Sequence, residues 1–84
     1  MSKADEVLAL LTTTLQNQGV LVETETNATI SFRGSGNGKR ASLIRPFYSE
    51  ADEADVDIHS EAKRLVDEVK AQIRAYVEPV HFQT

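Results

Sequence analysis

SFRGSGNGKRASLIR, residues 31–45, decides how the rest of this chain is read. Its glycines separate two runs of alternating apolar and polar residues, a hairpin pattern. It carries Arg33, Lys39, Arg40 and Arg45 with no acid among them. Asn37-Gly38 is the strongest short hairpin signal, because both residues tolerate the positive φ of a type I′ turn. Strands over 28–36 and 39–47 follow. Strict pairing about that turn sets Phe32 opposite Leu43 and Ile30 opposite Arg45, whereas Ile30 opposite Ile44 needs a bulge, for which Gly34 and Gly36 are natural places. Pro46 has no N–H to donate and confines this strand to an edge or to its own end.

Upstream, Val20, Val22 and Thr24 alternate with Leu21, Glu23 and Glu25, so another strand precedes the hairpin. Opposed residues of an antiparallel pair share a face, which sets Val20 and Val22 against Phe32 and Ile30. That register leaves Glu25-Thr26-Asn27 as the loop, with Asn27 in the left-handed position such loops use. The other face gathers Glu23, Ser31 and Arg33 and is wet. Before Gly19, a helix terminator, Ala4, Val7, Leu8, Leu11 and Leu15 form one stripe of a helix over about 3–18, capped by Ser2 with Asp5 three residues on. Thr12, Thr13 and Thr14 are poor helix formers, so packing holds this helix more than propensity does.

Downstream, 49–56 reads as an acidic connector with at most one loose helical turn. A second helix runs from near Asp57 to about Val77, with Ile58, Ala62, Leu65, Val66, Val69, Ile73, Tyr76 and Val77 on its apolar stripe. Lys63–Asp67 and Arg64–Glu68 are i,i+4 pairs on its outer face. Pro79 ends it, leaving 79–84 as a tail. The predicted class is α+β, in the order α-β-β-β-α: a three-stranded antiparallel meander with two helices packed on one face. One domain spans 1–84.

Eighty-four residues bury only about 60–65% of the surface the unfolded chain exposes. Little is left over for a deep ligand pocket, which points away from an enzyme. The absence of cysteine removes disulfides, thiolate metal sites and thiol nucleophiles. No apolar run is long enough to span a membrane, and no signal peptide is evident, so a cytoplasmic protein is expected.

The net charge of −4 argues weakly against non-specific nucleic-acid binding. Its distribution says more. The four cations of 33–45 are followed by Glu50, Asp52, Glu53, Asp55, Asp57 and Glu61 with no intervening base. A basic ribbon beside an acidic connector is one candidate partner surface, and mutual attraction between the two is the simplest reason for the pattern. Phe47 and Tyr48 are candidate aromatic anchors.

The known chemical motifs fail on spacing. Gly34 to Arg40 is not a phosphate loop, since Arg40 stands where the magnesium-holding hydroxyl belongs and a strand follows where a helix should begin. The acidic run is not an EF-hand, because Ile58 and Arg64 occupy the required glycine and glutamate positions. Asp55 and His59 do not by themselves make a metal site. No catalytic residue, metal or cofactor is assigned.

The element order is similar to that of the double-stranded-RNA-binding domain. That resemblance implies RNA contact through the first helix, the first hairpin loop and a lysine cluster opening the second helix. Here Glu25-Thr26-Asn27 replaces the Gly-Pro-x-His type of loop, and Asp55, Asp57 and Glu61 stand where the lysines belong.

The expected function is therefore a non-enzymatic protein-binding or regulatory module. Small inhibitors of nucleic-acid-handling machines, of phage or bacterial type, have such a character. Two partner surfaces are assigned: the basic hairpin (Arg33, Lys39, Arg40, Arg45) and the acidic connector (Glu50, Asp52, Glu53, Asp55, Asp57). The alternative is a nucleic-acid-binding module using the hairpin. Open strand edges make a homodimer the structural alternative to a monomer.

Overall fold

The computed structural model describes residues 2–34 and 39–75. Helix α1 (Lys3–Asn17) starts where the Ser2 hydroxyl accepts the Asp5 N–H at 3.2 Å. The awkward threonines turn their hydroxyls back on the helix, Thr12 to the Leu8 carbonyl at 3.0 Å and Thr14 to that of Leu10 at 2.8 Å. Gly19, at φ 82°, reverses the chain into the sheet. Only glycine enters that region without crowding its own Cβ.

Strands β1 (Val20–Glu25), β2 (Thr29–Gly34) and β3 (Arg40–Ile44) form an antiparallel sheet in the order β1-β2-β3. The α-β-β-β-α order is therefore the observed one, with a one-turn helix α2 (Glu50–Glu53) inside the acidic connector and α3 (Ile58–Ala75) after it. Tyr76, Val77, Pro79, the 79–84 tail and the Asn37-Gly38 turn lie outside the described residues.

Both expected registers are corrected. Val22, not Val20, faces Phe32, and Val20 faces Gly34. Phe32 faces Ala41 and Ile30 faces Leu43, in place of Leu43 and Arg45. The Gly34 N–H donates to the Lys39 carbonyl at 2.8 Å, so the β2–β3 ladder reaches that pair. The irregularity lies in β1, between Val22 and Thr24, where Glu23 is the extra residue; the described part of the β2–β3 ladder runs without one. The first loop is also different. Thr26 bonds to Thr29, its hydroxyl accepts the N–H groups of Ala28 (3.2 Å) and Thr29 (2.9 Å), and Asn27 is not left-handed. A threonine side chain thus closes a turn expected to depend on asparagine.

The inner sheet face supplies Val20, Ile30, Phe32, Ala41 and Leu43 to the core. Helix α1 adds Val7, Leu11 and Leu15, and α3 adds Ala62, Leu65, Val66 and Val69. Lys3 reaches the segment just before α3, and Leu10, Thr14 and Gln18 share a groove with His59 to Lys70. The two helices therefore run side by side in the same sense across one face of the sheet. The opposite face is left uncovered by either helix.

At the β3 edge, Gln72 of α3 accepts the Ser42 N–H at 3.0 Å and donates to the Ser42 carbonyl at 2.9 Å. A side-chain amide occupies the place of a neighbouring strand's peptide group. Part of this edge is thereby closed to another chain.

Candidate protein-interaction surfaces

The four hairpin cations do not form one ribbon. Arg33 and Arg40 lie in a row with Leu21 on the uncovered face, where Glu23 sits between them at 3.8 and 2.9 Å. The bulge at Glu23 re-aims this carboxylate, which is what an extra residue in a strand does. Arg45 lies at the far end of the hairpin, half-buried, and pairs with Glu25. Lys39 is half-exposed and engaged. The expected attraction between hairpin and acidic connector is thus replaced by ion pairs with β1.

The connector finds a different cation. The Lys3 ammonium donates to the carbonyls of Ala54 (3.2 Å) and Val56 (3.1 Å), while its backbone N–H reaches Glu53 Oε1 at 3.4 Å. Lys3 therefore satisfies carbonyls and leaves most carboxylates unmatched. Ser49 caps α2, accepting the Asp52 N–H at 3.2 Å and donating to Asp52 Oδ2 at 3.0 Å. Asp57 caps α3, taking the N–H groups of His59 (3.1 Å) and Ser60 (3.3 Å) and the Ser60 hydroxyl (3.2 Å). Among the described residues, none of Glu50, Asp52, Glu53, Asp55 or Asp57 forms an ion pair.

The two aromatic candidates separate. Phe47 is 85% exposed, and Ile44, three residues before it, is 80% exposed. Tyr48 packs against the core and donates its hydroxyl to Glu61 Oε2 at 3.0 Å. Tyr48, Glu61 and the connector acids Asp52, Asp55 and Asp57 share an open hollow of about 310 Å³ with Val56 and Ser60. Arg64 grips the same Glu61 with both Nε and a terminal nitrogen at 3.1 Å. His59 is exposed at the start of α3, and among the described residues no three His, Asp or Glu side chains converge to hold a metal.

These contacts fix a pH dependence. The N–H and hydroxyl of Ser60 hold the Asp57 carboxyl below its ordinary range, and the Arg64 guanidinium does the same for Glu61. Groups lowered on folding stabilise above their unfolded pKa of about 4 and lose that contribution as pH falls through the folded value. Burial, then the Glu61 carboxylate, pushes the Tyr48 phenol up to about 12. A raised group acts in the opposite sense: its contribution is complete below about pH 10 and disappears between about 10 and 12. Urea midpoints measured against pH should show both limbs. Asp57→Asn keeps the cap without its charge and should flatten the acid limb. Glu61→Gln should flatten it too and bring the Tyr48 ring titration part-way toward 10. Acid limbs identical to the parent would contradict the assignment.

Lys3 and Gln72 are the contributors that sequence reasoning missed. Each acts on a residue distant in the chain, so only the register and helix placement could have revealed them.

Comparison with protein-family models, curated proteins and solved structures finds no match to this chain. The functional reading rests on its own surfaces. No helix among the described residues is long and apolar enough to cross a membrane.

Proposed function

We propose that this chain is a non-enzymatic cytoplasmic protein-binding module that regulates or inhibits a larger assembly by presenting its acidic connector to a basic surface. One observation carries the reading. Five carboxylates between Glu50 and Asp57 have no ion-pair partner among the described residues, beside a Phe47 side chain that is 85% exposed. An exposed aromatic next to unmatched charge supplies both a desolvating anchor and a steering field. A basic surface that normally receives nucleic acid has the complementary chemistry, which favours a nucleic-acid-handling machine as the target class. The alternative, nucleic-acid binding by the hairpin, has less support, because Arg33 and Arg40 already share Glu23 and Arg45 is paired with Glu25.

Affinity purification from the source cell tests this with the parent, Phe47→Ser and the double variant Asp52→Lys/Asp55→Lys. All three substituted side chains are exposed, so melting temperatures should stay close to the parent's. A protein retained by the parent and lost with both variants, with retention falling as salt rises, is the expected result. The same proteins retained by all three baits would overturn the reading.

A further inference from the structure

Residues 7–18 of α1, VLALLTTTLQNQ, carry no charged side chain. Ala9, Thr13, Gln16 and Asn17 in this stretch are nonetheless exposed. A helix facing water ordinarily gathers charge on its outer side, and depletion of charge marks the centre of a protein–protein contact. The acids of α1, Asp5 and Glu6, stand before the uncharged stretch, in the first turn.

Beside this stretch runs the groove between α1 and α3, about 380 Å³ in volume and floored by Leu10, Ala62 and Val66. Because the two helices run in the same sense, the groove has two distinct ends. Leu10 and His59 lie toward the start of both helices, and Glu6 stands one turn earlier on the same side of α1 as Leu10. Gln18 and Lys70 lie at the other end. Glu6 is exposed, Lys70 is half-buried, and neither forms an ion pair among the described residues. They do not reach each other within one chain, since Glu6 and Gln18 are about 18 Å apart along α1 at 1.5 Å per residue. The remaining charges of the lining, Lys63 and Asp67, neutralise each other at 3.1 Å.

We propose that this helix face is the contact between two copies of the chain, related by a two-fold axis that sets α1 antiparallel to α1 of the partner subunit. The axis would cross α1 between Leu10 and Thr14. Each α1 then lies over the other copy's groove, with Leu10 and Thr13 meeting Ala62 and Val66. Each Glu6 comes to Lys70 of the partner subunit, and a single rotation makes both pairs because a two-fold contact is self-complementary. A two-fold axis parallel to the helices would instead bring Glu6 to Glu6 and Lys70 to Lys70. Charge therefore selects the antiparallel copy. The small side chains of Ala9 and Thr13 let the two helices approach closely, since interaxial distance follows the side chains at the contact. The sheet edges take no part, and this inference does not rest on the acidic connector.

Sedimentation of the full chain over a range of concentrations tests it. The parent should pass from monomer to dimer as concentration rises. Glu6→Lys and Lys70→Glu should each raise the dissociation constant about tenfold, because each turns two attractive pairs repulsive. An equimolar mixture of these two variants should dimerise like the parent, since one copy then carries lysine at both positions and the other glutamate. Thr13→Arg should abolish the dimer while circular dichroism of the dilute protein stays that of the parent. A chain that remains monomeric at every concentration, for instance because residues 76–84 cover the groove, would overturn the proposal. So would a dimer indifferent to both charge reversals, or a mixture that fails to restore it.

Discussion

Phe32→Ala is expected to remove about half or more of the stability of this domain. Phe32 has no exposed surface and is the largest of the fully buried side chains. It stands in the central strand between Val22 and Ala41, where it meets the helix layer from the middle of the sheet. Truncating a buried phenylalanine to alanine costs about 3–5 kcal/mol. A domain of this size has about 5–8 kcal/mol in total. At about 4–8 °C per kcal/mol, the melting temperature should fall by about 12–40 °C. Alanine already faces Phe32 from β3, so that neighbour has nothing with which to fill the cavity. Thermal melts followed by circular dichroism measure this directly, and a loss under about 1.5 kcal/mol would mean that Phe32 does not organise the core.

The same residue shows why the sequence revealed the faces of the sheet and not its register. A slip of one residue turns every side chain to the other face, so the apolar pattern excludes it. A slip of two keeps each side chain on its face. Around Phe32 both errors are of the second kind, since it is expected opposite Val20 and Leu43 and stands opposite Val22 and Ala41. Periodicity is blind to that difference. Beyond the bulge the offset grows to three, and Glu25 in place of Val22 faces Ile30. The Asn37-Gly38 signal supplied a register of its own, and it was two residues out.

The helices were more legible because their information is local. Ser2, Gly19 and Asp57 mark boundaries through contacts made within a few residues. The split between Phe47 and Tyr48 was not legible, because it depends on Glu61, which reaches the Tyr48 hydroxyl from α3. Charge was misread for the same reason as register. The alternation already sets Glu23 on one face with Arg33, but the pairs of Glu23 with Arg40 and of Glu25 with Arg45 depend on the bulge and the true pairing. Once those cations are matched, the acidic excess belongs to the connector. The hairpin is then no longer the foremost charged surface.

Val69→Asp should be the most damaging single change of charge, and its pH dependence should differ from that of the parent. Val69 has no exposed surface and lies on the stripe of α3 that carries Leu65, Val66 and Ile73. An unmatched carboxylate there is held in apolar surroundings, at a cost of several kcal/mol, about 3–5 by analogy with broken buried pairs. That approaches the whole stability of the domain, so the variant should lack a cooperative melt at pH 7. Burial disfavours the charged form and raises the folded pKa above the unfolded value of about 4. A raised group destabilises least when protonated, so the penalty should shrink as pH falls toward about 4 and grow as pH rises through the folded pKa. The parent's own acid loss lies lower, below about pH 4, where Asp57 and Glu61 take up protons, and both proteins share it. The difference in stability between parent and variant should therefore narrow steadily on acidification. Helical circular dichroism at pH 7 and near pH 4, with Val69→Ala as the uncharged control, separates this from simple loss of packing. A penalty independent of pH would place residue 69 in contact with water and contradict the two-layer core.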